Sequence, residues 1–168
     1  MFQAVKFVPA RSNEARTGCL TNVPKGKVPC PRCGKPAKSV PEKTPAHLLT
    51  EKAKTQTGDF SGFHFCKTSA CNVVYFRGDK VFEQKDVSVT VGCKKGAAPA
   101  TVCYCFGWTK EKIAEQLERT GKTDALDDIR AKMKDPGCSC VTLNPSGSCC
   151  LGDVAAVIIT APGNYLHH

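Results

Sequence analysis

At 168 residues and 18.0 kDa the chain can bury one moderate core or two small ones. Twelve cysteines beside one Trp and three Tyr leave aromatic packing thin, so rigidity has to come from metals or disulfides. No apolar run approaches the length of a membrane span, and the formal charge of +9 invites nucleic acid or an acidic partner.

The N-terminal stretch MFQAVKFVPAR sets Lys6 and Arg11 inside its apolar residues, so no secretory signal is read there and a cytoplasmic protein is expected. In that compartment cysteine clusters bind metals more often than they form disulfides. Residues 1–28 carry Arg11, Arg16, Lys25 and Lys27 among prolines and read as an N-terminal arm with one short strand at 2–8. Cys19 stands alone in it as a free thiol.

The first metal signature is Cys30-Pro31-Arg32-Cys33-Gly34, a CxxC followed by the glycine that lets such a knuckle turn its amides towards the sulfurs. Its partner pair is Cys66 and Cys71, separated by four residues, still within zinc-ligand spacing. Strand-like segments flank that pair at 60–65 and 73–76, and Gly78-Asp79 offers a turn to Val81-Phe82. Two knuckles joined by hairpins describe a zinc-ribbon-like β unit over 29–95, with Cys30, Cys33, Cys66 and Cys71 as ligands. A thioredoxin-like reading of CxxC would need a βαβ pattern, which is missing. His64 is read as a strand residue, because four thiolates complete a tetrahedron; His47 reads as packing or surface. An alternating strand, VSVTVG at 87–92, is expected to close the unit. Cys93 has no partner in sequence, and small residues at 96–101 read as a linker.

The second unit, 102–168, opens on Cys103-Tyr104-Cys105. Thr109 as N-cap, Ile113 and Leu117 at i,i+4 and Gly121 at the C′ position predict one helix. Thr123 is expected to cap a second, with Asp124, Asp127 and Asp128 early, Leu126, Ile129 and Met133 on one face, and Lys132 and Lys134 late. Pro136-Gly137 stop this αα-hairpin. Asn144-Pro145-Ser146-Gly147 is a turn, 151–161 is read as a last helix, and 164–168 as a tail ending in His167-His168. A CxC pair aims two sulfurs at one centre, and a 2Fe–2S cluster takes four thiolates. Across an intervening helical hairpin, whose helix N-termini would face an anionic cluster, the spacing fits such a cluster better than a second zinc. Cys138, Cys140, Cys149 and Cys150 compete for the remaining two places, and spacing leaves that choice open. The fold class is therefore α+β: a small β-rich zinc-ribbon unit followed by a helical-hairpin 2Fe–2S unit.

The combination CPxC…FxFCxxxxCxVVYF…CYC…CxxxNPSGxCC resembles the N-terminal domain of CopZ-type copper chaperones over roughly residues 30–155. Its cluster half is similar to bacterioferritin-associated-ferredoxin-like domains. The resemblance implies a zinc on Cys30, Cys33, Cys66 and Cys71 and a 2Fe–2S cluster on Cys103, Cys105, Cys140 and Cys150. It leaves Cys149 a non-ligand neighbour and Cys138 unmatched. In that family a second domain carries an MxCxxC copper(I) loop, which these residues lack; the only methionines are Met1 and Met133.

The function these readings imply is that of a metal-homeostasis redox accessory protein, passing one electron at a time, such as Cu(II) to Cu(I) in copper chaperoning. It would be no enzyme, since no nucleophile–base arrangement is present, and would meet a copper-binding chaperone domain or a copper ATPase. No electron donor is indicated. Lys110, Lys112, Arg119 and Lys122 are expected beside the cluster, raising its potential. One alternative is a soft-metal (Cu or Hg) trafficking module using Cys138 and Cys149. Another is a zinc-ribbon nucleic-acid-binding protein. Eight bound thiolates, offset by zinc and iron, would lower the formal +9 to about +5 and weaken that last reading.

Overall fold

The computed structural model describes residues 26–162. The expected strand at 2–8, Cys19 and the terminal histidines lie outside the described residues. Five short strands form one antiparallel sheet in chain order: β1 (Val28–Pro29), β2 (Pro36–Ser39), β3 (His64–Phe65), β4 (Val73–Arg77) and β5 (Lys80–Glu83). The run VVYF in β4 is wholly buried because both faces of the sheet are covered. An irregularity between Val73 and Tyr75 breaks the alternation. Val73 and Phe76 therefore join the cysteines, whereas Val74 and Tyr75 enter the main core with Phe63, Phe65 and Phe82. Gly78, at φ 56°, makes the turn between β4 and β5.

Two features of this half depart from the sequence expectation. Helices α1 (Lys43–Leu48) and α2 (Glu51–Lys54) stand between the knuckles, seating Leu48, Leu49 and Ala53 in the core. Thr50 caps α2, its hydroxyl accepting from the Ala53 amide at 3.3 Å. The expected strand at 87–92 does not form. Val87 and Val91 are buried and Val89 partly so, and the backbone makes one isolated antiparallel bridge, Val87 to Leu49. Its polar groups go to loops instead: Ser88 N–H to Leu48 O, and Gly92 N–H to the Tyr104 hydroxyl. The strand expected at 60–65 likewise shrinks to β3.

The second half starts with a two-stranded ribbon, β6 (Thr101–Cys103) and β7 (Trp108–Thr109), wrapped around the CYC turn. Helix α3 (Lys110–Thr120) follows, capped by Thr109 and closed by Gly121 at φ 70°. Helix α4 (Ala125–Lys134) begins one residue later than a Thr123 cap implies: Asp124 holds the cap position, and the Thr123 hydroxyl accepts from the Ala125 amide. The short α5 (Cys140–Leu143) and then α6 (Leu151–Thr160) complete the chain's described part. Helices α3 and α4 pack chiefly through α6, with Ile113, Leu117, Ile129 and Val154 in one core. The helix read for 151–161 is thus the element that closes the hairpin.

The halves are joined through the turn at residues 144–147. The fully buried Tyr75 donates its hydroxyl to Pro145 O at 2.8 Å, and Thr44 Oγ1 donates to Val141 O at 2.6 Å. Gly147, at φ 64°, lies so close to Thr44 and Pro41 that an added Cβ would sit 2.6 Å from Thr44 Oγ1. Tyr75→Phe leaves the Pro145 carbonyl without this donor, and we expect it to cost about 1–2 kcal/mol. Urea unfolding of the metal-loaded protein measures this.

Candidate metal centres

All cysteines among the described residues are free thiols, and all but Cys93 gather in two places. In the first, the knuckle after β1 and the loop before β4 bring Cys30, Cys33, Cys66 and Cys71 within 4.8 Å of one another. Cys30 Sγ lies 4.0 Å from Cys71 Sγ and Cys33 Sγ 3.7 Å from Cys66 Sγ. Tetrahedral zinc with Zn–S bonds of about 2.3 Å needs sulfurs about 3.8 Å apart, so the donor set fits a zinc ion. Gly34, at φ 68°, lets the first knuckle turn, its N–H donating to Cys30 O at 2.8 Å. Amides of Lys35, Thr68 and Val73 donate to the sulfurs of Cys33, Cys66 and Cys71.

The electrostatics of this set are split between partners. Hydrogen bonding by the Thr68 side chain, then by the Lys35 amide, brings Cys33 down to about 6 against its desolvation. Burial pushes its neighbour Cys66 up to about 12 and also raises Cys71. The set therefore holds shared protons that metal binding would displace. His64 is not part of it: the ring is buried and stacked on Phe76 at 5.6 Å, and its Nε2 has no hydrogen-bond partner among the described residues.

Sequence reasoning missed Lys94 here. Its motif, CKKG, looks like a solvated loop, yet Lys94 is only 3 % exposed. Its Nζ donates to the carbonyls of Cys66, Thr68 and Val73, at 2.6, 3.1 and 2.6 Å. No sequence pattern signals a lysine in such a role.

The second set is arranged as two pairs. Cys105 Sγ lies 3.7 Å from Cys140 Sγ, and Cys103 is hydrogen-bonded to Cys150. Cys103, Cys140 and Cys150 are buried and Cys105 half-buried, whereas Cys138 and Cys149 are exposed. The hydrogen bond from Cys150, aided by the Phe106 and Cys105 amides, holds Cys103 down at about 6 despite burial. The same bond raises Cys150, and burial pushes Cys140 up to about 12. The Ser139 amide donates to Cys105 Sγ at 3.4 Å. Among the described residues this set forms no single-ion group of the kind found at the first. Its sulfurs are spread over two pairs in place of one compact group of four.

The expected surroundings need correction. The N-terminus of α4 lies at the far end of the hairpin, so its dipole does not face these cysteines. Helix α6 faces them instead: Cys150 is its N-cap residue, and no side chain caps its first turn. Arg119 lies at the other end of α3 from the CYC turn, about 14 Å along the axis from Lys110, and Lys122 is beyond it. The cations nearby are Lys112, donating to Gly107 O at 2.7 Å, and Lys132, 5.9 Å from the Phe106 ring centre. Lys132 comes in from the last turn of α4, a placement only the tertiary packing reveals.

Known proteins resemble the chain in its first half and in its fold. A family profile described as a zinc binding domain, of the CopZ type, matches residues 27–88. The solved N-terminal domain of CopZ from Archaeoglobus fulgidus superposes with a TM-score of 0.66 at 32% identity, covering 80% of this chain and 99% of that one. The chain belongs to the CopZ N-terminal-domain family. The copper chaperone CopZ of the same organism is 34% identical over 122 residues, 72% of this chain. The chain spans 57% of that relative's length. Its β-rich half is the part that the zinc-binding profile matches. The zinc-domain profile ends at residue 88, before the second cysteine set. No helix among the described residues is long and apolar enough to cross a membrane.

Because His64 carries an orphaned ring nitrogen in an apolar site, His64→Phe is expected to leave zinc stoichiometry unchanged and stability equal or higher. Metal analysis with thermal unfolding tests this; loss of zinc in the variant would make His64 a ligand.

Proposed function

We propose that this CopZ-family chain holds zinc on Cys30, Cys33, Cys66 and Cys71 and a 2Fe–2S cluster on Cys103, Cys105, Cys140 and Cys150, and serves copper handling by electron transfer. The observation that carries the second half is the pairing of Cys105 with Cys140 and of Cys103 with Cys150, all four buried or half-buried, while Cys149 and Cys138, which also hydrogen-bonds to Cys140, are exposed. A 2Fe–2S cluster bound there supplies one electron at a time, enough to take substrate Cu(II) to Cu(I), which soft thiolates then hold.

The chain's own residues shape that chemistry. Amides of Cys105, Phe106 and Ser139 donate to ligand sulfurs, and the start of α6 adds its dipole; both favour the more reduced, more anionic state. Lys112 acts in the same sense from the rim, whereas Lys132 is ion-paired with Asp128 at 2.9 Å. Val141 and Leu143, about 40 % exposed, sit on α5 directly after Cys140 and leave an apolar edge where a redox partner can approach. Partners of this kind are a copper-binding chaperone domain or a copper-transporting ATPase, met in the cytoplasm. The zinc half then serves as a rigid support, with the chain divided as arm 1–28, β unit 29–95, linker 96–101 and helical unit 102–168.

The second reading, soft-metal trafficking by spare thiols, draws on the exposure of Cys138 and Cys149 beside the set. Replacing both by Ser lowers Cu(I) stoichiometry only if this reading is right; we expect no change.

Anaerobically purified protein is expected to contain one zinc, two iron and two sulfide per chain and to show the EPR signal of a reduced 2Fe–2S cluster after dithionite. Cys140→Ser with Cys150→Ser should abolish iron binding while keeping zinc, and C138S/C149S should keep both. A colourless protein with two zinc ions overturns the proposal. Adding Cu(II) to the reduced protein should remove the EPR signal and yield Cu(I), trapped by a Cu(I)-specific chelator.

A further inference from the structure

We propose that Lys94 is a positioning residue of the Cys30–Cys33–Cys66–Cys71 centre, its ammonium balancing the excess negative charge of four metal-bound thiolates. The inference rests on the zinc reading above and concerns how that centre is kept.

A buried lysine is expensive. Removing an ammonium from water costs several kcal/mol unless it is paired and hydrogen-bonded. Lys94 is 3 % exposed, and no carboxylate among the described residues forms an ion pair with it. Three carbonyls surround its Nζ, matching the three N–H donors of an ammonium. Those carbonyls supply dipoles and no net charge. The opposite charge has to come from elsewhere.

The position of those carbonyls indicates the source. Cys66 is itself one of the four cysteines, Thr68 lies in the loop between Cys66 and Cys71, and Val73 follows Cys71 by two residues. Thr68 and Val73 also give their amides to the sulfurs of Cys66 and Cys71. The same peptide segment thus offers N–H groups to the thiolates and C=O groups to the lysine, and is polarised from both sides. A divalent ion with four thiolates carries net negative charge, and that anion is the counter-charge Lys94 lacks. The lysine's own loop is placed for this by Lys94 N–H to Val91 O at 2.9 Å and Lys95 N–H to Ser69 O at 2.9 Å. Lys94 and Lys95 thus lie against the second knuckle.

A purely structural clamp on three carbonyls is the competing explanation, and the two differ in measurable ways. The test uses the full chain with its zinc, the variants K94Q, K94M and K94R, zinc competition against a chromophoric chelator, and the thiolate-to-metal charge-transfer band of Co(II)-substituted protein. K94Q and K94M are expected to bind zinc about ten- to hundredfold more weakly. Their Co(II) band should move to longer wavelength, because a lost cation raises the energy of the sulfur electrons. K94R, which keeps the charge, should recover most of the affinity and the original band. Wild-type affinity and band in K94Q overturn the proposal, as does K94R behaving like K94Q. Variants are folded with zinc present. If the neutral variants fail to fold and K94R folds, a cation is required at this position; if K94R fails as well, the proposal falls. Wild-type protein that takes up no zinc would remove the zinc reading itself, a result distinct from zinc bound equally well with and without Lys94.

Discussion

The Tyr75 hydroxyl, donated to Pro145 O across the junction of the two halves, is the contact on which the second cysteine set depends. Cys140 and Cys150 bracket a stretch rich in turn residues, and nothing local fixes where it lies. Tyr75 is fully buried in the sheet's main core, so the bond anchors the turn to the stiffest part of the molecule. Thr44 holds the segment from the other side through Val141, and Gly147 allows the backbone to come that close. Asn144 stiffens the turn from within, accepting from the Ser146 amide and donating to Ser148 O. With the turn pinned, Cys140 meets Cys105 and Cys150 meets Cys103.

Both cysteine sets face the same electrostatic difficulty, anionic sulfur in a poorly solvated site, and answer it differently. The first is enclosed by β1, β2 and β4, takes three amide donors and has a buried lysine beside it. The second takes its amides from the CYC turn and Ser139, and has the start of α6 at Cys150. Its cations stay at the rim, on Lys112 and Lys132. An enclosed centre with a fixed counter-charge suits a metal that keeps one charge. On the proposed function, a centre at an exposed apolar edge suits one whose charge changes and whose partner must come near.

Much of this was readable from residue order. The CxxC–Gly knuckle, the second cysteine pair, the Thr109 cap with Gly121 stop and the Asn-Pro-Ser-Gly turn are local devices, each governed by the backbone preferences of a few neighbours. The strand at 87–92 shows the limit of that logic. VSVTVG has the period of a strand, yet tertiary packing gives its backbone one bridge to Leu49 and bonds to Leu48 and the Tyr104 hydroxyl in place of a ladder. Helices α1 and α2 escaped notice because they are short, and Pro45 interrupts the pattern that would have announced them.

Sequence by itself determined which residue types were present for metal chemistry and how they were grouped along the chain: four sulfurs in knuckles, two in a CxC, and four candidates around a turn. Tertiary structure decided which of the last four are buried and paired, because burial depends on contacts between segments 35 or more residues apart. It likewise decided that Lys94 turns inward and that Arg119 lies at the far end of α3. A side chain's charge is written in the sequence; the dielectric around it and the charge opposite it are properties of the packed chain.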